Sequence, residues 1–364
     1  MRFRCERDVL ADALSTASRA VSGRGGLLPV LSGLRLVLTG DQLQLTGSDL
    51  DLTISVDLTV AGGEDGQAVV PAKLAVDIVK ALEPGAVEVE VSGEEARISC
   101  GRSQFTLRAN PAEEFPQLSR SVGETVKLDP AEFAEGLRQV VPAASTDDSR
   151  PILTGVLLAG EGTGLRMVAT DSYRLAVRDL PGTAALGEGQ SVLVPSRALQ
   201  EVNRVLGHAE DLQLELGERE ASFVAGSVRL TTRLIDGDFP NYRGLIPQSQ
   251  PNRLTVDRSA LIDALRRVKL MAREATPVRL TMREGGVELM AVTQDIGQAS
   301  EELDAGYEGT ELTVAFNPDY LMAGLDVAPG DEVSLETIDP AKQALLRSPE
   351  HPDFLYLLMP VRVS

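Results

Sequence analysis

The chain has 364 residues, 43% hydrophobic and 24% charged, which is ordinary for a globular protein. Its formal net charge of −19 argues, taken alone, against nucleic-acid binding, although a local basic face can coexist with an acidic exterior. No run approaches the roughly 18 apolar residues of a membrane span, and the N-terminus lacks a signal-peptide core. Its two cysteines show no metal or disulfide spacing, so we expect a cytoplasmic protein without membrane contact.

One design occurs three times along the chain. A short alternating strand, an acidic residue and an amphipathic helix follow one another from Arg2, from Val126 and from Arg253. Negative charge is favoured at a helix N-terminus, and the three acidic residues are Glu6, Asp129 and Asp257. The apolar helix positions predicted to face the core are Leu10, Leu14, Phe133, Leu137, Leu261 and Leu265.

A second helix is predicted later in each repeat, with a proline in its first turn; these prolines are Pro71, Pro195 and Pro318, which recur at intervals of 124 and 123 residues. The segments between and after the helices alternate in the manner of strands, most regularly in LTISVDLTV from Leu52. Each third therefore predicts an α+β domain, with antiparallel sheets backed by two helices. The predicted domains are residues 1–121, 122–250 and 251–364.

Positive charge recurs on one face of the predicted helices. Residues seven apart lie on nearly the same helical face, and the apolar residues of these helices, such as Leu74 on the second helix, fall on the face expected to be buried. The basic residues concerned are Lys73, Lys80, Arg197, Arg204, Arg266, Lys269 and Arg273. Stacked repeats place such faces on one common surface. Two helices depart from the pattern: the sixth has no Lys or Arg, and Glu132 and Glu135 flank Arg138 on the third.

Four stretches that span the chain resemble one family, the bacterial sliding clamps, which are the beta subunits of DNA polymerase III. They are LLPVLSGLRLVL from Leu27, VATDSYRLAV from Val168, DGDFPNYRGLIP from Asp236 and LYLLMPVRV from Leu355. The resemblance implies three clamp domains per chain and a head-to-tail homodimeric ring around duplex DNA. The helices would lie inside, so that the basic residues named above, together with Arg138 and Arg24 of the first loop, face phosphate without sequence readout.

The resemblance also implies a hydrophobic groove between the second and third domains, walled by the apolar C-terminal stretch. Partners would dock short peptides there, typically a Gln followed by Leu and a terminal Phe or Leu; the partners implied are the alpha subunit of DNA polymerase III, the clamp loader and other DNA enzymes. The matching residues are Leu153, Thr170, Ser172, Tyr173, Arg174, Leu175, Pro240, Leu245, Asn317, Tyr320, Leu358, Met359, Pro360, Val361 and Arg362.

Several groove positions carry a second interpretation or depart from the family pattern. Ser172 and Tyr173 stand where relatives often have Gly and His, and the larger Tyr173 narrows the expected groove. Arg174 fits either a ligand contact or an ion pair with Asp171, for which a structural role in a turn is expected. Pro360 cannot donate to a ladder, which predicts a position at a sheet edge or near the groove.

The head-to-tail contact is implied by the same resemblance. Phe105 and Leu107 of one chain would meet Leu270 and Met271 of the other, and Lys73 would face acidic residues. Those acidic residues are Glu301, Glu302 and Asp304.

The sequence contains no pattern typical of an enzyme. Its two histidines, His208 and His351, lie in polar, loop-like segments, and no nucleophile elbow, P-loop or zinc spacing occurs. Asp49 and Asp51 are read as a turn and not as a metal site. We therefore expect no catalysis, metal or cofactor. Two functions remain: a DNA sliding clamp that gives polymerases processivity, or a clamp-fold paralogue that acts as a peptide-binding scaffold or inhibitor without encircling DNA.

Overall fold

Six α-helices occur among the residues that the computed structural model describes, which are 1–21, 28–117, 123–207, 209–273 and 276–362. They confirm the predicted pattern of two helices in each third of the chain. The helices are α1 (Arg7–Ser18), α2 (Ala72–Ala81), α3 (Pro130–Val140), α4 (Ser196–Leu206), α5 (Arg258–Lys269) and α6 (Pro318–Val327). None of these helices is long and apolar enough to cross a membrane.

The strands repeat in the same order around each helix pair. The first repeat holds β1 (Arg2–Glu6), β2 (Gly33–Thr39), β3 (Gln42–Ser48), β4 (Leu52–Thr59), β5 (Ala61–Glu64), β6 (Gly66–Pro71), β7 (Ala86–Ser92), β8 (Glu95–Cys100) and β9 (Ser103–Arg108). The second holds β10 (Glu124–Leu128), β11 (Gly155–Glu161), β12 (Gly164–Thr170), β13 (Arg174–Leu180), β14 (Ser191–Pro195), β15 (Leu212–Leu216), β16 (Glu220–Ala225) and β17 (Val228–Arg233). The third holds β18 (Asn252–Asp257), β19 (Val278–Arg283), β20 (Gly286–Thr293), β21 (Gly297–Asp304), β22 (Gly306–Glu308), β23 (Leu312–Phe316), β24 (Glu332–Thr337), β25 (Ala344–Ser348) and β26 (His351–Leu358).

The chain forms two compact units whose limits differ from those of the repeats. The first unit consists of Met1–Pro130 and Glu201–Leu234. It contains one sheet in the order β5-β1-β7-β8-β9 and another in the order β10-β15-β16-β17-β4-β3-β2-β6. Helix α1 packs against α2 and against strands β3 and β4.

The second unit consists of Ala131–Gln200 and Ile235–Ser364. Its sheets run in the orders β14-β11-β12-β13-β26-β25-β24-β18-β22 and β21-β20-β19-β23. Helix α5 packs against α6 and strands β20 and β21, and α6 also contacts β26.

One kind of sheet joint occurs in both units. In each unit the last strand of one repeat pairs antiparallel with the fourth strand of the repeat before it. The joint is β4 with β17 in the first unit, where Ile54 is opposite Leu230. It is β13 with β26 in the second unit, where Ala176 is opposite Tyr356. The corresponding strands β9 and β21 form sheet edges within the described residues.

The helix faces follow the predicted pattern with one correction. All six core positions predicted on α1, α3 and α5 are buried. Leu74 was expected on the buried face of α2 but is exposed, because α2 buries Ala75, Val76 and Val79 instead.

The helix starts confirm part of the predicted capping. The Asp257 side chain accepts a hydrogen bond from the Ala260 backbone N–H at 2.7 Å, whereas Glu6 occupies the N-cap of α1 without such a bond. Pro318 is the first residue of α6 as predicted, but Pro71 and Pro195 end the preceding strands one residue before their helices. A proline at that position donates no ladder bond and leaves the helix free to begin.

The close approach of α6 to β26 depends on Gly324. A Cβ atom at Gly324 would lie 2.7 Å from two ring carbons of Tyr356, which is itself fully buried. Gly324→Ala is therefore expected to lower the free energy of unfolding by about 2 kcal/mol through overpacking, as measured by chemical denaturation. Gly207→Ala is the control, since its nearest neighbour would be 3.9 Å away. Equal stability of both variants and the wild type would contradict the prediction.

Candidate functional site

The C-terminal stretch crosses from one strand system to another within the second unit. Strand β26 is an interior strand between β13 and β25 and ends at Leu358. The Met359 backbone N–H then donates to the Tyr173 carbonyl at 2.9 Å, and the Val361 N–H donates to the Ala315 carbonyl at 2.8 Å. Pro360 therefore lies outside β26, and its place at a sheet edge or near the groove stays a prediction. The proline is tolerated because the strand stops before it.

The turn between β12 and β13 is held by Asp171. Its carboxylate accepts the backbone N–H groups of Tyr173 at 2.9 Å and Arg174 at 3.0 Å. Ser172, between them, has φ of +82°, a conformation that side chains other than glycine rarely adopt. Asp171 thus has the structural role that the sequence predicted. Asp49 forms the equivalent turn in the first repeat by accepting from the Leu52 N–H at 2.8 Å.

Arg174 is fixed by three neighbours. Its Nε donates to Asp171 at 2.9 Å and its Nη1 to the Tyr356 hydroxyl at 3.4 Å. Its guanidinium carbon also lies 4.6 Å from the centre of the Tyr320 ring, within the range of a cation–π contact. The ion pair with Asp171 therefore forms, and direct contact of Arg174 with a ligand stays a prediction.

Two tyrosine rings stack beside this arginine. The rings of Tyr173 and Tyr320 are 6.2 Å apart and inclined by 24°. Asn317 positions Tyr320, because its side chain caps α6 by accepting from the Asp319 N–H at 2.8 Å. The Tyr356 hydroxyl donates to the Tyr320 carbonyl at 3.2 Å from below.

Burial gives Tyr356 a pH-dependent contribution to stability. Desolvation raises the pKa of Tyr356 from 10.0 to about 12. Because the folded pKa is raised, this contribution is complete below pH 10 and is lost as pH rises towards 12. The stability advantage of the wild type over Tyr356→Phe is expected to fall by about 2–3 kcal/mol across that window, as measured by denaturant unfolding at each pH. A difference that stays constant with pH would contradict this.

Exposed or partly exposed apolar side chains lie around the C-terminal stretch and form what we call the apolar patch: Tyr173, Leu245, Tyr320 and Met359. Tyr173 is 57% exposed, Leu245 48% and Met359 41%. The Leu245 carbonyl accepts from the Gln343 side chain at 2.8 Å, and Gln343 precedes the residue opposite Leu358 in the sheet. Large exposed apolar residues in one place are typical of an interaction surface.

Other residues predicted to line the groove differ in exposure. Pro240 and Arg362 are exposed, and Pro360 and Val361 are partly exposed. Leu153, Thr170, Leu175 and Leu358 are buried. Leu175 and Leu358 are only 1% exposed, so their side chains belong to the core beneath the apolar patch and do not form an accessible wall.

Four residues near the apolar patch were missed by sequence reasoning. Tyr242, Gln343 and Tyr356 lie beneath or beside it, and the Arg150 guanidinium reaches the Ser172 hydroxyl at 3.5 Å. Tyr242 and Tyr356 stand inside the quoted stretches NYRGLIP and LYLLMPVRV, which could have singled them out. Arg150 and Gln343 carry no sequence signal.

The basic helix residues divide into two groups. Lys73, Lys80 and Arg273 are exposed and form no ion pair within the described part of the chain, and Arg197 is also exposed. Four others pair with acidic residues: Arg138 with Glu135, Arg204 with Glu201, Arg266 with Asp263 and Asp326, and Lys269 with Asp319. Arg24 lies outside the described residues.

These ion pairs weaken the predicted basic face. Three of them join residues three apart on one helix, so acid and base share the same surface. Pairing of Arg204, Arg266 and Lys269 is what the scaffold alternative predicts. The pairs of Arg138, Arg266 and Lys269 are open to solvent, whereas Glu201, the partner of Arg204, is buried. Exposed pairs contribute only about 0–1 kcal/mol, so a phosphate can take the place of the carboxylate in them.

The residues predicted for head-to-tail contact lie on or near the two edge strands. Phe105 on β9 is exposed, and Leu270, after α5, is 84% exposed. Met271 is partly buried. The prediction that Leu107 contacts a partner is wrong, because its side chain is buried in the first unit. Glu301 pairs with Arg267 at 2.6 Å and Glu302 with Arg283 at 2.6 Å, and Asp304 is exposed.

The described residues show no group of three or more His, Cys, Asp or Glu side chains that could hold a metal ion. Cys5 and Cys100 are both free; Cys5 is buried and Cys100 partly exposed.

Comparisons with known proteins agree along the whole chain. Sequence models of the N-terminal, central and C-terminal domains of the DNA polymerase III beta subunit match residues 1–119, 127–241 and 243–362. The beta sliding clamp of Streptomyces coelicolor is 35% identical, with all of both chains covered.

Solved structures of sliding clamps also match this chain over its full length. The DNA polymerase sliding clamp of Bacillus subtilis has a TM-score of 0.94 at 30% identity, with both chains fully covered. The DNA polymerase III beta subunit of Pseudomonas aeruginosa, solved bound to griselimycin, has a TM-score of 0.93 at 30% identity, again over the full length of both.

Proposed function

The chain belongs to the bacterial sliding clamp family of DNA polymerase III beta subunits, and we propose that it encircles duplex DNA as a homodimer and tethers DNA enzymes to it. The function is a processivity factor, without catalysis or a cofactor. The three domains proposed are residues 1–121, 122–250 and 251–364. Since bacterial chromosomes lie in the cytoplasm, the protein acts there.

The observation that carries this proposal is the repeated sheet joint. Two joints between repeats are already formed within the chain: β4 with β17 and β13 with β26. The last strand of the first repeat, β9, and the fourth strand of the third repeat, β21, are sheet edges in the described part of the chain. A second copy can pair its β21 with β9 and its β9 with β21, and no unpaired joint is then left. Closed point-group symmetry is the common solution for homo-oligomers.

The side chains at these edges support such a pairing. Phe105 on β9 and Leu270 near β21 are large apolar residues left in solvent. Exposed strand edges are otherwise an aggregation hazard that proteins cover or charge. Lys73 of one copy and Asp304 of the other supply opposite charges across the proposed interface. Glu301 and Glu302 lie on the same strand as Asp304, where they pair with Arg267 and Arg283 of their own chain.

Contact with DNA in this proposal is weak and carries no sequence information. The positive charges on the helices meet phosphate, and a closed ring is retained by topology, so tight binding is not required. The overall charge of −19 repels DNA from the other surfaces of the protein. Lys73, Lys80 and Arg273, which lack carboxylate partners in the described chain, are expected to contribute most.

The apolar patch is the proposed docking site for partners such as the polymerase alpha subunit and the clamp loader. A peptide that buries two apolar side chains there gains about 1.5–3 kcal/mol from each. With a few hydrogen bonds this reaches roughly micromolar affinity, weak enough for partners to exchange. The Pseudomonas aeruginosa relative bound to griselimycin shows that a protein of this fold binds a ligand.

The proposed function is tested by loading the protein onto nicked circular plasmid with a clamp loader and ATP. A ring should co-elute with the plasmid in gel filtration and dissociate once the plasmid is cut to a linear form. Failure to co-elute, with peptide binding intact, would instead support the scaffold alternative. Retention that survives linearisation would show ordinary DNA binding and contradict a sliding ring.

A further inference from the structure

A cavity of about 510 Å³ lies at the third-repeat end of the C-terminal stretch. Its floor is the surface of β19 and β23, with Arg279, Thr313 and Ala315. Its walls are the Pro340–Ala341 loop and the Val361–Arg362 segment. The volume is in the range of small-ligand sites, roughly 300–1,000 Å³. Arg279 was not among the residues that the sequence singled out.

The cavity is cationic. Arg279 and Arg362 both line it, both are exposed, and neither forms an ion pair with a described residue. No acidic side chain occurs among the described lining residues. Asp339, which precedes Pro340 of the wall loop, is paired with Lys342 at 3.7 Å. Two unpaired guanidiniums in a chain of net charge −19 are suited to a carboxylate, which an arginine can hold through two parallel hydrogen bonds.

The cavity continues the apolar patch. Met359 belongs to the patch, and Val361, two residues later, belongs to the cavity wall and is anchored to Ala315 on its floor. Tyr320 of the patch follows the end of β23 by four residues. A peptide that fills the patch therefore has its flanking residues within reach of Arg279 and Arg362.

We propose that this cavity binds acidic side chains that flank the apolar anchors of a docking partner, and so selects partners whose docking segment has Asp or Glu beside it. This rests on the proposed function of the apolar patch as a peptide-docking site. The ion pairs are solvent-exposed, so they add preference among partners and do not replace the apolar anchors.

The test compares fluorescent peptides of one anchor sequence, Gly-Gln-Leu-Ser-Leu-Phe, by polarisation with the full-length protein. One form is neutral, one has a short Glu run before the anchor, one has it after, and one has Lys in its place. One of the Glu forms is expected to bind about fivefold tighter than the neutral peptide at low salt. That gain should disappear at about 1 M salt, because charges are then screened over about 3 Å.

Arg279→Gln identifies the cavity as the source of the gain. In this variant the preferred Glu peptide is expected to bind only as well as the neutral one. Arg97→Gln, which removes an exposed arginine paired with Glu90 in the first unit, is the matched control and should keep the full gain. No gain with either Glu peptide, or a gain that survives Arg279→Gln, would overturn this inference and leave the proposed function standing. Failure of the neutral peptide to bind would contradict the proposed function itself.

Discussion

Leu270→Asp is expected to convert the homodimer into monomers at micromolar concentration. Leu270 is 84% exposed in the single chain, so the change removes little from the fold. In the proposed dimer the side chain would be buried against β9 of the partner. Its loss removes about 1.5–3 kcal/mol of apolar burial, and the new carboxylate must also be desolvated. Together these raise the dimer dissociation constant at least about 100-fold.

Sedimentation velocity over a concentration series measures this change. Val9→Asp is the matched control, because Val9 is also an exposed apolar residue but belongs to α1 and to neither edge strand. The control should stay dimeric. The Leu270→Asp monomer should also lose retention on circular plasmid while it still binds the docking peptide. A Leu270→Asp protein that remains a dimer would place the interface elsewhere.

The double variant Leu245→Asp with Met359→Asp is expected to abolish detectable peptide docking. Both side chains are a little under half exposed in the free protein, so both substitutions should lower the thermal unfolding temperature only slightly. A bound peptide would bury both positions. Losing two apolar contacts costs about 3–6 kcal/mol, and the two carboxylates add a desolvation cost, so affinity should fall at least about 100-fold.

Calorimetry with the neutral anchor peptide measures the loss, with Val9→Asp as the control of equal chemistry on α1 of the first unit. The double variant should remain dimeric and should still be retained on circular plasmid when loading is forced by a large excess of clamp loader. Peptide affinity within about threefold of the wild type, a difference of less than 1 kcal/mol, would show that the apolar patch is not the docking site.

Local signals in the sequence predicted most of the architecture. The recurring strand, acid and helix pattern located α1, α3 and α5, the recurring prolines located α2, α4 and α6, and the alternation in LTISVDLTV located β4. These features depend on periods of about two or 3.6 residues, which neighbouring positions encode. Leu74 shows the limit of this reasoning: its place on the helical face was compatible with burial, but α2 packs through Ala75, Val76 and Val79.

The candidate site was only partly predictable for the same reason. Resemblance to a known family indicated all of Tyr173, Leu245, Tyr320 and Met359, and the structure places them around the C-terminal stretch. It could not show that Leu175 and Leu358 lie beneath the surface, because burial there depends on β26 entering between β13 and β25. Nor could it show the partners of the basic residues, since Lys269 pairs with Asp319 fifty residues away.

The sequence by itself therefore determined the three repeats, their helices and strands, and the apolar character of the C-terminal stretch, because these follow from composition and spacing along the chain. Only the tertiary structure decided which strands meet, which arginines lack a carboxylate and where Arg279 and Arg362 face one cavity. Arg174 and Tyr356, 182 residues apart, illustrate the physical reason. Contacts at such separation depend on sheet register and on competition among many charged partners, and no local period records either.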